Sequence, residues 1–283
     1  MNASALKNTD TDFETIYGST IESTIEIARL AGEKILEYYE SELCVVAKDD
    51  DTPLTEADLA ANRTIIEQLR QMTPEIPILT EESCNVPFAE RCEWQTYWLV
   101  DPLDGTREFI KRNGEFSVNI ALIHHGCPIL GVVHAPVLDV TYWAYQGGGA
   151  WKQEADKSSQ PIKVRTAPLT EVTIARSRAP LNGGRLSRFL DRLGKYNVVS
   201  MGSALKSCLV AEGRADLYAK LGPTCEWDTG AAQCIVEQAG GHVTDTQMRD
   251  LRYNTRESLL NPHFFVFGTS NHNWSEYLDS EAG

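Results

Sequence analysis

Apolar residues return at steps of three and four, or their sums, at Ile21, Ile25, Ala28, Ile35 and Tyr39. That spacing predicts an amphipathic helix over residues 15–39, behind a loose polar tail of residues 1–14. Residues 44–48 then read as a strand and 49–53 as an acidic loop. Thr55-Glu56-Ala57-Asp58 has the form of a capping box, with Thr55 as N-cap and Asp58 at N3, and predicts a second helix that fades near Thr73-Pro74. From Phe116 the period changes to two. Phe116, Val118, Ile120 and Leu122 alternate with Ser117, Asn119, Ala121 and Ile123, His125-Gly126 supplies a turn, and strands over 129–135 and 140–145 follow. This meander predicts an antiparallel sheet with helices packed on it, ending in a polar surface loop over 153–160.

After that loop strands and helices alternate. Strands are expected at 172–175, 198–201, 217–219, 242–244 and 264–267, and helices at 186–193, 204–212 and from Asp228 to about Gln238, where Gly240-Gly241 supplies a left-handed stop. The pattern divides the chain into an N-terminal α+β lobe over 15–165 and a C-terminal α/β lobe over 166–283, with the site expected in the crevice between them.

Two apolar runs lead directly into carboxylates. Residues 76–80 precede Glu81 and Glu82, and Trp98-Leu99-Val100 precedes Asp101-Pro102-Leu103-Asp104-Gly105-Thr106. In the second run Pro102 and Gly105 favour a sharp turn, so that Asp101 and Asp104 converge beside the Thr106 hydroxyl at the end of a strand. Oxygen donors so arranged suit a hard divalent cation such as Mg²⁺, although the motif alone fits a solvated acidic turn equally well. A third acidic end, Glu226-Trp227-Asp228-Thr229-Gly230, opens the helix toward Gln238. Residues far apart in sequence meet at the carboxyl ends of strands in an open α/β sheet.

A length of 283 residues with 42% apolar content suffices for a large core. A net charge of −14 excludes a general binder of nucleic-acid polymers, which needs a basic stripe. A small anionic ligand then requires local cations, and Arg107, Lys111 and Arg112 follow the metal motif. The seven cysteines are odd in number and form no C-x-x-C pair, which fits a reducing cytoplasm. No apolar run is long enough to span a bilayer, so the expectation is a soluble cytoplasmic protein; peripheral association with the cytoplasmic face of the inner membrane and the oligomeric state stay open.

With the Asp101–Thr106 motif, the Glu81-Glu82 pair and Trp227-Asp228 in this order, the chain resembles the inositol monophosphatase superfamily of Mg²⁺-dependent, lithium-sensitive phosphatases over roughly residues 21–267. The segments 104–123, 52–58 and 205–213 look like its bacterial 3′(2′),5′-bisphosphate nucleotidase branch. The resemblance implies a layered α-β-α-β-α sandwich, and hydrolysis of adenosine 3′,5′-bisphosphate (PAP) formed during sulfate assimilation. It further implies two or three Mg²⁺ ions held by Glu81, Asp101, the Leu103 carbonyl, Asp104 and Asp228, with a water activated by Thr106 and Asp58. Substrate contacts would come from Glu81, Leu103, Asp104, Gly105, Thr106, Gly202, Lys206 and Asp228, with Lys206 reaching the second phosphate or the sugar. Arg178 stands where the branch has an adenosine-contacting His, which puts that contact in doubt. The alternatives are an inositol or sugar monophosphatase and, from another class, a non-catalytic sensor of phosphorylated ligands.

Overall fold

The computed structural model describes residues 10–39, 45–47, 53–168, 170–181 and 183–279. The first nine residues of the expected tail, the ends of the expected strand at Cys44 and Lys48, and residues 49–52 of the acidic loop lie outside that set.

Helices α1 (Asp10–Tyr39) and α2 (Glu56–Met72) cover one face of a seven-stranded sheet. Its strands are β3 (Ile78–Thr80), β4 (Thr96–Asp104), β5 (Ser117–His124), β6 (Cys127–Ala135), β7 (Val140–Tyr145), β8 (Ala150–Glu154) and β9 (Gln160–Ile162). They lie side by side in chain order; β3 and β4 are parallel and every other pair is antiparallel. A small antiparallel pair, β1 (Val45–Ala47) and β2 (Pro53–Thr55), stands apart, and a single-turn helix, α3 (Phe88–Arg91), lies between β3 and β4.

The second sheet has five strands: β10 (Val172–Arg176), β11 (Tyr196–Ser200), β12 (Leu217–Lys220), β13 (His242–Asp245) and β14 (Phe264–Phe267), in the order β11-β10-β12-β14-β13. The first three are mutually parallel, and β14 runs antiparallel to both β12 and β13. Helices α6 (Leu205–Ala211) and α7 (Gly230–Gln238) fill the space between the sheets, and α5 (Gly184–Leu193) closes the far face.

The alternation in β5 explains this layering. Val118, Ile120 and Leu122 pack with α1 and α2, while Ala121 and Ile123 pack in the core shared with α6 and α7. Both faces of the sheet are buried, which is why its two interleaved residue sets are each largely apolar. The result is the α-β-α-β-α sandwich.

Four sequence expectations need correction. Helix α1 starts at Asp10, so residues 10–14 of the expected tail are helical. Pro53, the expected end of the acidic loop, and Thr55, the expected N-cap, both belong to β2. The polar loop 153–160 shrinks to 155–159 between β8 and β9, because β9 is a short edge strand whose Pro161 gives no ladder signal. Finally, β4 does not stop at Asp101 but runs to Asp104.

The connection between the sheets is pinned by Arg165, whose guanidinium donates two 2.7 Å bonds to Asp216. Asp216 is fully buried and also accepts from the Thr173 backbone N–H, whereas the Arg165 side chain is 42% exposed. Arg165→Ala leaves a buried carboxylate without its cation. We expect a loss of about 2–3 kcal/mol, below the range for a wholly buried pair because solvent already screens the arginine. An unchanged urea midpoint would show that the pair does not hold the junction.

Candidate active site

The β4–β5 register carries the site. Asp101 pairs with Asn119 and Asp104 with Ser117, so β4 takes three steps where β5 takes two. In a regular strand Asp101 and Asp104, an odd number of residues apart, would point to opposite faces; the extra residue turns them to one side. Pro102, which has no N–H to donate, is tolerated within such an irregularity. The turn comes only at Gly105, whose φ of 99° is left-handed, and it starts the short helix α4 (Thr106–Ile110). Convergence thus arises from a bulge within the strand, not from a turn between the two aspartates.

Asp228 completes the group. It ends the single 3₁₀ turn Glu226–Asp228 ahead of α7, and its carboxylate accepts the Cys225 N–H at 2.8 Å. Carboxylate oxygens of Asp101, Asp104 and Asp228 all lie within 4.8 Å of one another. Asp101 accepts the Leu103 N–H at 3.1 Å, and Asp104 Oδ2 accepts from the Ala204 N–H at 2.5 Å and the Asn119 amide at 3.3 Å.

Burial, followed by the charges of Glu81, Asp104, Asp228 and Asp58, holds the Asp101 carboxyl well above the usual carboxylate range. Asp228 is pushed up to about 7, chiefly by burial and then by Asp104. Asp104 is raised by burial against the opposing pull of Lys206 and the Ala204 N–H. Glu81, in the 3₁₀ turn after β3, and the buried Asp58, in the first turn of α2, therefore face this group from two further elements, though neither belongs to the mutual set of three. The Thr106 hydroxyl donates a long 3.5 Å bond to the Leu103 carbonyl.

Three crowded, desolvated carboxylates need either protons or a cation. The donor set is oxygen only, with no thiol or imidazole, and fits a hard divalent ion such as Mg²⁺.

A cleft of about 330 Å³ opens beside these carboxylates, and Asp104, Gly105, Gly202, Lys206 and Asp228 line it. Lys206 is only 8% exposed; it donates to the Ser203 carbonyl, its ammonium lies 5.2 Å from the Tyr218 ring centre, and burial lowers its pKa to about 8. Gly202 is there for backbone proximity, since a Cβ would collide with the Glu115 carbonyl and stand 2.9 Å from the Glu108 side chain. That approach brings the Ala204 N–H to Asp104. Arg178 turns to Glu115 in an ion pair, while its neighbours Ser177 and Ala179 line the cleft. Sequence reasoning missed the Ala204 N–H, Asn119, Ser203 and Lys220. Backbone donors have no residue-type signature, and Asn119 was read only as one polar position in the β alternation.

A family model described as the inositol monophosphatase family matches residues 18–274. The 3′(2′),5′-bisphosphate nucleotidase CysQ of Escherichia coli (strain K12) is 50% identical over 249 residues, covering 87% of this chain and 98% of that protein. The Haemophilus influenzae protein of the same name is 38% identical over 261 residues, covering 92% and 97%. Among solved structures, CysQ from Bacteroides thetaiotaomicron, a bacterial member of that family, superposes with a TM-score of 0.77 at 39% identity over 88% of this chain and 97% of its own. The shared fold and the chain-long likeness lead to one conclusion: the chain belongs to the inositol monophosphatase family.

Proposed function

We propose that this protein is a Mg²⁺-dependent 3′(2′),5′-bisphosphate nucleotidase that converts PAP to AMP and phosphate, clearing the by-product of sulfate assimilation in the cytoplasm. The observation that carries this reading is the identity of about half of all aligned residues with CysQ enzymes over nearly their whole length. None of the helices described is long and apolar enough to cross a membrane.

Two or three Mg²⁺ ions would be held by Asp101, Asp104, Asp228, Glu81 and the Leu103 carbonyl. When bound, they would supply Lewis acidity for the phosphoryl oxygens and the leaving oxygen. The chain supplies the rest. Thr106 orients the attacking water, and as the water's proton moves to the hydroxyl oxygen the hydroxyl passes its own proton to the Asp58 carboxylate; the Gly105 turn holds that hydroxyl beside the reacting phosphate. Residues 15–165 and 166–283 act as two lobes of one catalytic unit. Lys206 reaches the second phosphate or the sugar, and its depth and its nearness to Asp104 favour the sugar at the reacting end. Arg178, held by Glu115, contributes the edge of the nucleotide pocket through its neighbours and its own guanidinium plane.

Phosphate release from PAP, its sulfated relative PAPS, inositol 1-phosphate and fructose 1,6-bisphosphate, with and without Mg²⁺, tests the reading. PAP should be turned over fastest and chelation should stop the reaction. Preference for inositol 1-phosphate would instead identify a monophosphatase.

A further inference from the structure

The turn that carries Asp228 is held by the connection between β13 and β14, residues 246–263. The Glu226 N–H donates to the Leu259 carbonyl at 2.9 Å, and Asn261 donates to the Thr224 and Cys225 carbonyls at 2.8 and 2.6 Å. In the opposite direction, both oxygens of the buried Glu226 carboxylate accept the Asn254 N–H, at 3.1 and 2.9 Å. Asn254 has a left-handed φ of 54°, and its side chain meets Arg91 at the end of α3. Arg91 Nη1 donates to Asn254 Oδ1, and the Asn254 amide donates back to the Arg91 carbonyl at 2.5 Å. Arg91 Nη2 donates to the Arg256 carbonyl at 3.0 Å and to that of Glu257.

Stability alone does not account for Arg91. Its side chain is 1% exposed, and its Nε is buried with no hydrogen-bond partner among the described residues. A buried cation so placed is costly, and what it supplies is a fixed geometry. Arg91 also lies in the connection from β3 to β4, whose first residue is Glu81. It therefore ties the segment that carries Glu81 to the turn that carries Asp228. Asp101 and Asp104 need no such tie, because both sit in β4 and are fixed by its ladder with β5. Asp228 sits on a single 3₁₀ turn, and repulsion from the other two carboxylates pushes that turn away from the cluster. We propose that Arg91 is a positioning residue for the metal centre, which acts through Asn254 and Glu226 to hold Asp228 against that repulsion and so sets the affinity for Mg²⁺, an inference that rests on the metal-dependent phosphatase reading and deepens it.

Arg91→Met leaves buried carbonyls without a donor and threatens the fold, so the deciding variant is Asn254→Gly. Glycine accepts the left-handed φ and keeps the N–H that Glu226 accepts, while both side-chain bonds to Arg91 are lost. The measurement is titration calorimetry with Mg²⁺ alone, with the Mg²⁺ dependence of the melting temperature in parallel. Asn254→Gly should keep the wild-type circular dichroism while its Mg²⁺ dissociation constant rises on the order of tenfold, as found for residues that orient metal ligands. Its kcat on PAP should return toward wild type as Mg²⁺ is raised. Arg165→Ala, which loosens the junction between the sheets, is the control for stability: it should melt lower and bind Mg²⁺ as wild type does. An unchanged Mg²⁺ dissociation constant in Asn254→Gly, whether or not the variant melts lower, would overturn the proposal. So would an equal rise in Arg165→Ala, since metal affinity would then follow general stability. A wild-type protein that neither binds Mg²⁺ nor melts higher in its presence removes the metal-dependent reading itself, and that outcome is visible before any variant is made.

Discussion

Asp104→Asn should reduce turnover on the order of a thousandfold or more while leaving the fold intact. The hydrogen bonds of Asp104 explain why so small a change is so damaging. Both of its bonds, from the Ala204 N–H and the Asn119 amide, fall on Oδ2, and the remaining oxygen is left for the cation. An asparagine can keep its carbonyl on the Ala204 N–H only by turning its NH₂ toward the cation, where a donor cannot ligate. In the flipped rotamer the NH₂ faces the Ala204 N–H, donor against donor. Neither orientation rebuilds the site. Stability without metal should rise, because one of three crowded, mutually repelling carboxylates has lost its charge. The measurement is the rise in melting temperature on adding Mg²⁺, which scales with the logarithm of metal concentration over Kd. That rise should be clear in wild type and much smaller in the variant. Equal rises would mean that Asp104 is not a ligand.

How much of this was legible in the sequence differs between the sheet and the site. The period-2 run from Phe116 specified β5 and its two buried faces, and the steps of three and four through α1 specified a helix, because side-chain burial repeats with the element. Edge elements were less legible. β9 is three residues long with Pro161 at its centre, and its pairing comes from β8, not from its own pattern. At the site, the identities of Asp101, Asp104 and Asp228 could be read, but the reason they converge could not. A bulge is a property of two strands, visible only when Asp101↔Asn119 and Asp104↔Ser117 are compared. The same holds for Gly202, which lines the cleft as expected of a substrate contact but whose need to be glycine comes from the close passage of the Glu115 backbone, which no sequence pattern displays. The likeness to a family supplied Asp58 and Thr106 as a pair; the capping-box pattern alone explained Asp58 equally well.

That pair is the subject of the second large effect, since Thr106→Ala should lower kcat by on the order of 10²–10⁴-fold while leaving metal binding nearly intact. The hydroxyl's bond among the described residues is long, 3.5 Å to the Leu103 carbonyl, so its removal should cost little stability. Nor does it remove one of the three clustered carboxylates, so the Mg²⁺-induced rise in melting temperature should match wild type. Loss of kcat with metal binding preserved is the signature that separates a proton-accepting hydroxyl from a ligand. Thr106→Ser, which keeps the oxygen, should retain most of the rate. Asp58→Asn should fall with Thr106→Ala, and the double variant should be no slower than the worse single, because two groups that orient one water act as a unit. A Thr106→Ala enzyme with wild-type kcat at saturating Mg²⁺ would show that the metal alone activates the nucleophile. In that case Asp58, buried beside the carboxylates in the first turn of α2, would have to be explained by its effect on the Asp101 charge instead.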